Sequence, residues 1–158
     1  MLGSEISDEA VRCLVSGSYA WLWSQDSAEK GYRGKYENCI HWSEGAKDRW
    51  LAKGSVPKGE VIHEHVVPRA ELVNALLALR ASECEMTFEQ RREKVRGIFQ
   101  SRCIGCVVLK TEDEDIPKRI RGNSDASSVW GRYSAVPGLI VGTINDGDPK
   151  NWQAIRIS

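Results

Sequence analysis

The residues best able to do chemistry stand together in "GEVIHEHVVPRAELVNALLALR", residues 59–80. The chain has three histidines, and two of them, His63 and His65, flank Glu64 here. A neutral imidazole can take a proton from water or bind a divalent metal. A carboxylate beside it can bind Mg²⁺ or orient the imidazole. Phosphodiester hydrolysis uses both functions, a general base for water and a cation for the developing charge. In a strand, His63 and His65 share one face and Glu64 takes the other. If the strand ends at Glu64, then Glu64 and His65 both turn into a cleft at the strand-to-helix corner. The plainer reading is a polar strand end with hydrogen-bonded surface histidines.

Such a site also needs cations over the phosphate. The candidates are Arg69, Lys110 and Arg132, with Lys110 placed just after an apolar run and followed by Glu112 and Asp113. A strand, a lysine and then acids suit a metal or proton-transfer cluster. The same residues also suit a helix first turn, capped by Thr111, with acids at the positive end of the dipole. In "WGRY", Arg132 could bridge a phosphate while Trp130 and Tyr133 stack on a base. The alternative is an aromatic anchor with a snorkelling arginine.

The segment "EHVVP" resembles the acidic-His-x-x-Pro core of HNH (ββα-metal) nucleases. That resemblance implies Glu64 as a metal ligand and His65 as the general base. It departs from the family where a helix follows at once in place of a long loop with an asparagine. No histidine follows His65, and Asn74 lies on a leucine-rich helix. A longer pattern, "HEHVVPRAELVNALL", "VVLKTEDED" and "WGRY", looks like one found in small bacterial proteins without an assigned activity. It implies that the three segments belong together.

The five cysteines are an odd number without the spacing of a disulfide framework. Cys103 and Cys106 form a Cys-x-x-Cys that Cys39 and His41 could complete as a zinc site. In an apolar strand, however, the two would point to opposite faces, so buried thiols are expected rather than zinc. A cysteine nucleophile with His63 or His65 as its base is a minor alternative. No phosphate-cradling P-loop or dinucleotide glycine fingerprint occurs.

The elements that must position these residues follow from periodicity and caps. Residues 7–24 read as a helix and 25–38 as a loop with a short strand. Ser43 caps a helix through "EGAKDRWLAK", and "GSVPKG" ends it. "EVIHEHVV" is β-prone. Pro68 suits the first turn of a helix reaching Arg80, with Leu72, Ala75, Leu76 and Leu79 on one face. Thr87 and Gln90 form a capping-box pattern for a helix over 88–101. "CIGCVVLK" fits a buried strand, Thr111 a cap, "RGNSDASS" a loop and "SVWGRY" a brief helix. "GLIVGTI" and "WQAIRIS" read as strands that "NDGDPKN" joins in a hairpin. The fold class is α+β, a single domain over 1–158, with N-terminal helices packed on a small, largely antiparallel sheet.

With 158 residues the chain is long enough to bury a core without disulfides or structural metal. Lys plus Arg equals Asp plus Glu at 22 each, which leaves no global electrostatic footprint for nucleic acid. The charge is nevertheless segregated: "RREKVRGIFQSR" carries five cations against one glutamate, and "EDED" is acidic. No signal peptide or bilayer-spanning run is evident, so a cytoplasmic location is expected.

The leading expectation is a nuclease-like hydrolase acting on DNA or RNA phosphodiesters. His65 would be the base, Glu64 a metal ligand or orienter, and His63 a support. Lys110, Arg69 and Arg132 would hold phosphate, Tyr133 and Trp130 would stack on a base, and Glu112 and Asp113 would be further ligands. Room is left for a divalent metal, Mg²⁺ or Mn²⁺. The rival is a non-enzymatic regulator or inhibitor that binds a protein partner through an aromatic-rich interface.

Overall fold

The computed structural model describes residues 36–37, 39–81, 86–118 and 129–157. The helix expected over 7–24, most of the loop over 25–38 and the loop over 121–128 lie outside the described residues.

Strand β1, His41–Ser43, runs straight into helix α1, Glu44–Lys53. Ser43 is the cap the sequence predicts: its Oγ accepts the Ala46 N–H at 3.1 Å, satisfying one orphan donor of the first turn. Gly54 ends α1 with a φ of 66°, a left-handed conformation that costs glycine nothing. Strand β2, Val61–His65, is followed by helix α2, Arg69–Ala81. The carbonyl of Pro68 accepts the first α2 hydrogen bond, from Glu71, where the missing proline N–H is harmless. Helix α3, Phe88–Arg102, starts at a capping box in which Thr87 and Gln90 satisfy each other's backbone. Strand β3, Gly105–Leu109, passes without a connecting residue into helix α4, Lys110–Asp115. Then come helix α5, Gly131–Ser134, strand β4, Val141–Ile144, a 3₁₀ turn at Pro149–Asn151 and strand β5, Trp152–Ala154.

Two local expectations change. Thr111 caps nothing, because α4 begins two residues earlier than that reading requires, with Leu109 at its cap position. The Glu112 carboxylate folds back to accept the Leu109 N–H at 2.8 Å, doing from inside the helix what a threonine would do from outside. Nor is Cys103 in a strand: it ends α3, and its N–H reaches the Phe99 carbonyl.

The sheet order is β2-β3-β1-β4-β5. Only β1 and β3 are parallel among the described strands, so the α+β, largely antiparallel reading holds. The β4–β5 hairpin forms across the expected connection, with Asp146 and Gly147 both at positive φ. In the β2–β3 register Ile62 faces Val108 and Glu64 faces Cys106, while Val61 and His63 face Leu109 and Val107. Alternation therefore divides β2 between two sheet faces.

One face holds a core of Val66, Cys106, Val108, Ile116, Tyr133 and Val141. The other packs Trp42, Val61, Val107 and Ile144 against Ala46 of α1. Helices α2 and α3 make a separate cluster from Leu72, Val73, Leu76, Leu77, Ile98 and Phe99. Among the described residues no helix is long and apolar enough to cross a membrane.

Candidate functional site

Strand β2 lies at the sheet edge, so both of its faces can reach one surface depression. An open cleft of about 310 Å³ wraps its end, lined by His63, Glu64, His65, Arg69, Asp113, Lys118 and Arg132, with Ile62 and Pro68. The "HEHVVP", "LKTEDED" and "WGRY" segments thus meet at one place.

Arg132 is what joins them. It is buried, and its guanidinium donates to four acceptors on the two other segments. Nη2 reaches Glu64 Oε1 at 2.7 Å. Nη1 reaches the His65 carbonyl at 2.8 Å and the Val66 carbonyl at 3.3 Å. Nε donates to the Pro117 carbonyl. A planar fork with fixed donors suits this clamp, whereas lysine would offer a single point charge. Arg132 lines the cleft, but most of its donors are already spent on the protein. Burial raises the Glu64 carboxyl above its usual value, and the hydrogen bond and charge of Arg132 pull it back only in part.

His65 sits in a similar tension. Arg69 Nε donates to His65 Nε2 at 3.0 Å, so that nitrogen is an acceptor and the proton belongs on Nδ1. Burial, followed by the positive charge of Arg69, pushes the imidazole down to about 3. His65 is therefore neutral near pH 7 and a weak proton acceptor, with its basic lone pair engaged. This sets it apart from the general base that its place in "EHVVP" implies. His63 stands on the same face of the strand, its ring centroid 6.3 Å from that of His65 and nearly perpendicular to it.

The remaining predicted residues divide. Asp113 lines the cleft and pairs with Lys118 at 2.9 Å. Its Oδ1 is buried and finds no hydrogen-bond partner among the described residues. Glu112, its neighbour, is not in the cleft. It accepts from Ser43 Oγ at 2.5 Å and from the Leu109 N–H, tying α4 to β1. That approach depends on Gly45, where a Cβ would stand 2.6 Å from Glu112 Oε1. Lys110 is exposed, and its N–H bonds to the Glu60 carbonyl, before the start of β2. It is thus a strand's length from His65, about 16 Å. Tyr133 is fully buried beside the Cys106 thiol, and burial raises both groups above their usual values, so Tyr133 offers no face to a base. Trp130 packs edge-on against His41 and Tyr133. Asn74 is exposed on α2 and is absent from the cleft lining.

Sequence reasoning missed Lys118. It follows Pro117 in a stretch with no periodicity, and its pairing with Asp113 and the Pro117–Arg132 contact bring it to the cleft. The one available signal was "KRIR" two residues after "EDED".

For a metal, the cleft supplies Glu64 and Asp113. Among the described residues no three His, Cys, Asp or Glu side chains gather to hold an ion. One or two carboxylates with an orphaned oxygen suit Mg²⁺, which keeps several waters and takes further ligands from a phosphate. Cys39 has its thiol pushed up to about 12 by burial and donates to the His41 carbonyl. Cys103 packs in the α2–α3 cluster and Cys106 in the sheet core. The tryptophans among the described residues are buried or half-buried. Compared with known proteins, the chain matches no family model, no curated protein and no solved structure.

Proposed function

We propose that the protein is a nuclease-like hydrolase that binds a phosphodiester in the β2 cleft. One observation carries this reading: two histidines, two carboxylates and three cations from three distant segments line one open depression. Arg132 and Lys118 neutralise Glu64 and Asp113, and Arg69 adds positive charge at the mouth. A phosphate is a natural guest for such a balance.

The roles shift from those the sequence implies. His63 takes the part of general base, because the Nε2 lone pair of His65 is committed to Arg69. His65 and Arg69 form a neutral–cationic pair that positions the guest's oxygens. Arg132 holds the walls together. Glu64 and Asp113 would hold Mg²⁺ or Mn²⁺, which would supply charge stabilisation at the phosphate.

The test incubates the protein with DNA and with RNA, with Mg²⁺ or Mn²⁺ and with chelator. Wild type is compared with His63→Ala and His65→Ala. Cleavage by wild type should fall about 100-fold or more in His63→Ala, the usual worth of a positioned base. A wild type inert toward every substrate and metal, or a His63→Ala variant as fast as wild type, would overturn the reading.

A further inference from the structure

Helix α3 is left unexplained by the cleft. It is 15 residues long, yet none of its residues is buried, and it is held mainly by Ile98 and Phe99 packing on α2. Phe88, Arg92 and Arg96 follow at intervals of four, so they form one slowly turning stripe along the helix. Phe88 is 72% exposed, the most exposed of the large apolar side chains among the described residues. The side chains of Arg92 and Arg96 are 60% and 57% exposed, and both share the single acceptor Glu93 Oε1 at 3.7 and 3.5 Å. Exposed pairs at such distances hold their charges weakly and release them readily to a stronger anion. Lys94 adds an exposed cation on the opposite flank.

An exposed aromatic ring in line with two arginines is a poor design for a merely solvated helix. A strand of nucleic acid needs a flat apolar face for a base and cations at regular steps for its backbone. Successive members of the stripe are about 6 Å apart along the axis, a step comparable to that between phosphates of an extended strand. The C-terminal end of α3 leads through Ile104, whose carbonyl accepts the Val66 N–H, to the residue next to His65. The last turn of α3 therefore lies near the end of β2 that borders the cleft, and the helix is about 22 Å long.

We propose that the Phe88–Arg92–Arg96 flank of α3 docks single-stranded nucleic acid, with a base on Phe88 and backbone phosphates on the two arginines. This rests on the hydrolase reading, and it makes the substrate a polymer rather than a nucleotide. The strand would run along α3 and present one phosphodiester to the β2 cleft.

Binding of fluorescein-labelled oligothymidylate to the full-length His63→Ala protein is followed by anisotropy from about 50 to about 200 mM salt. Arg92→Glu with Arg96→Glu should raise Kd about 10-fold or more and lower the salt slope by about 1.4, the worth of two phosphate contacts on a single strand. Phe88→Ala should weaken binding roughly 5-fold or more and leave the slope unchanged, because stacking releases no counterions. Arg92→Gln with Arg96→Gln serves if the charge reversal fails to fold by circular dichroism. Lys58→Glu, at a 66% exposed lysine outside α3, should change Kd less than about 2-fold if the field is local.

Unchanged Kd and slope in the double variant would overturn the proposal. So would equal weakening by Lys58→Glu, or binding to anionic vesicles without binding to the oligonucleotide. A duplex bound as well as a single strand, with Phe88→Ala silent, would overturn the single-strand assignment. The α3 variants should still cleave a dinucleotide wherever wild type does. Strand binding that follows this pattern without cleavage of any substrate would remove the hydrolase reading and leave the docking surface standing.

Discussion

Glu64 and Glu112 are both partly buried carboxylates that tie the sheet to something outside it, yet their corners differ. Glu112 is closed on itself: its donors are the Leu109 N–H and Ser43, and Gly45 clears the space for it. Glu64 depends on Arg132, which comes from a helix of four residues far along the chain and holds three carbonyls as well. The first corner is a cap that also staples. The second is a strut with one side open to a cleft. A carboxylate satisfied by nearby backbone and hydroxyl donors builds structure. One satisfied by a distant, buried cation also leaves a polarised surface behind, where a ligand can sit.

Removing the strut should have the largest effect. Arg132→Ala leaves Glu64 buried and uncompensated and frees the His65, Val66 and Pro117 carbonyls, at a cost of about 3–5 kcal/mol in chemical denaturation. A loss under about 1 kcal/mol would make the strut an ordinary surface pair. Glu112→Gln keeps the size but weakens two charge-assisted hydrogen bonds, so a smaller cost of about 1–2 kcal/mol is expected. If Glu112→Gln proved as costly as Arg132→Ala, the contrast between the two corners would disappear.

The third prediction sharpens the contrast through pH. His65 titrates near 6.5 when unfolded and near 3 when folded. Its pKa is lowered on folding, so its contribution is complete above about 6.5 and is lost as pH falls toward 3. The slope from this group is at most about 1.4 kcal/mol per pH unit, and less for a partly exposed ring. His41, also lowered by burial, adds in the same direction. Glu64, whose pKa is raised, opposes both, since protonation favours its folded state. Melting temperatures between pH 7 and 4 should therefore fall less steeply in His65→Gln than in wild type. Identical slopes would show that His65 is not the strained group at this end of β2.

The parts legible in the sequence were those written in neighbouring residues. Ser43 before α1, Pro68 before α2 and the Thr87–Gln90 box before α3 are local contests between side chain and backbone, decided within one turn. The His63–Glu64–His65 cluster stood out because the residue types are rare in this chain. What could not be read was which distant groups arrive. Nothing local tells Arg132 from a phosphate-binding arginine, or sends Glu112 to β1 and Asp113 to the cleft. The parallel β1–β3 pairing brings Ser43 to Glu112, and it joins residues more than sixty positions apart.

Strand β3 and helix α4 meet without a spacer, Leu109 closing one and Lys110 opening the other. Each residue of an α-helix advances the side-chain direction by about 100°. One residue inserted at this joint would swing the whole acidic turn by that angle and break the assignment of one acid to the wall and its neighbour to the cavity. The joint works as an indexing pin, and here a change in chain length does more harm than a change of residue type.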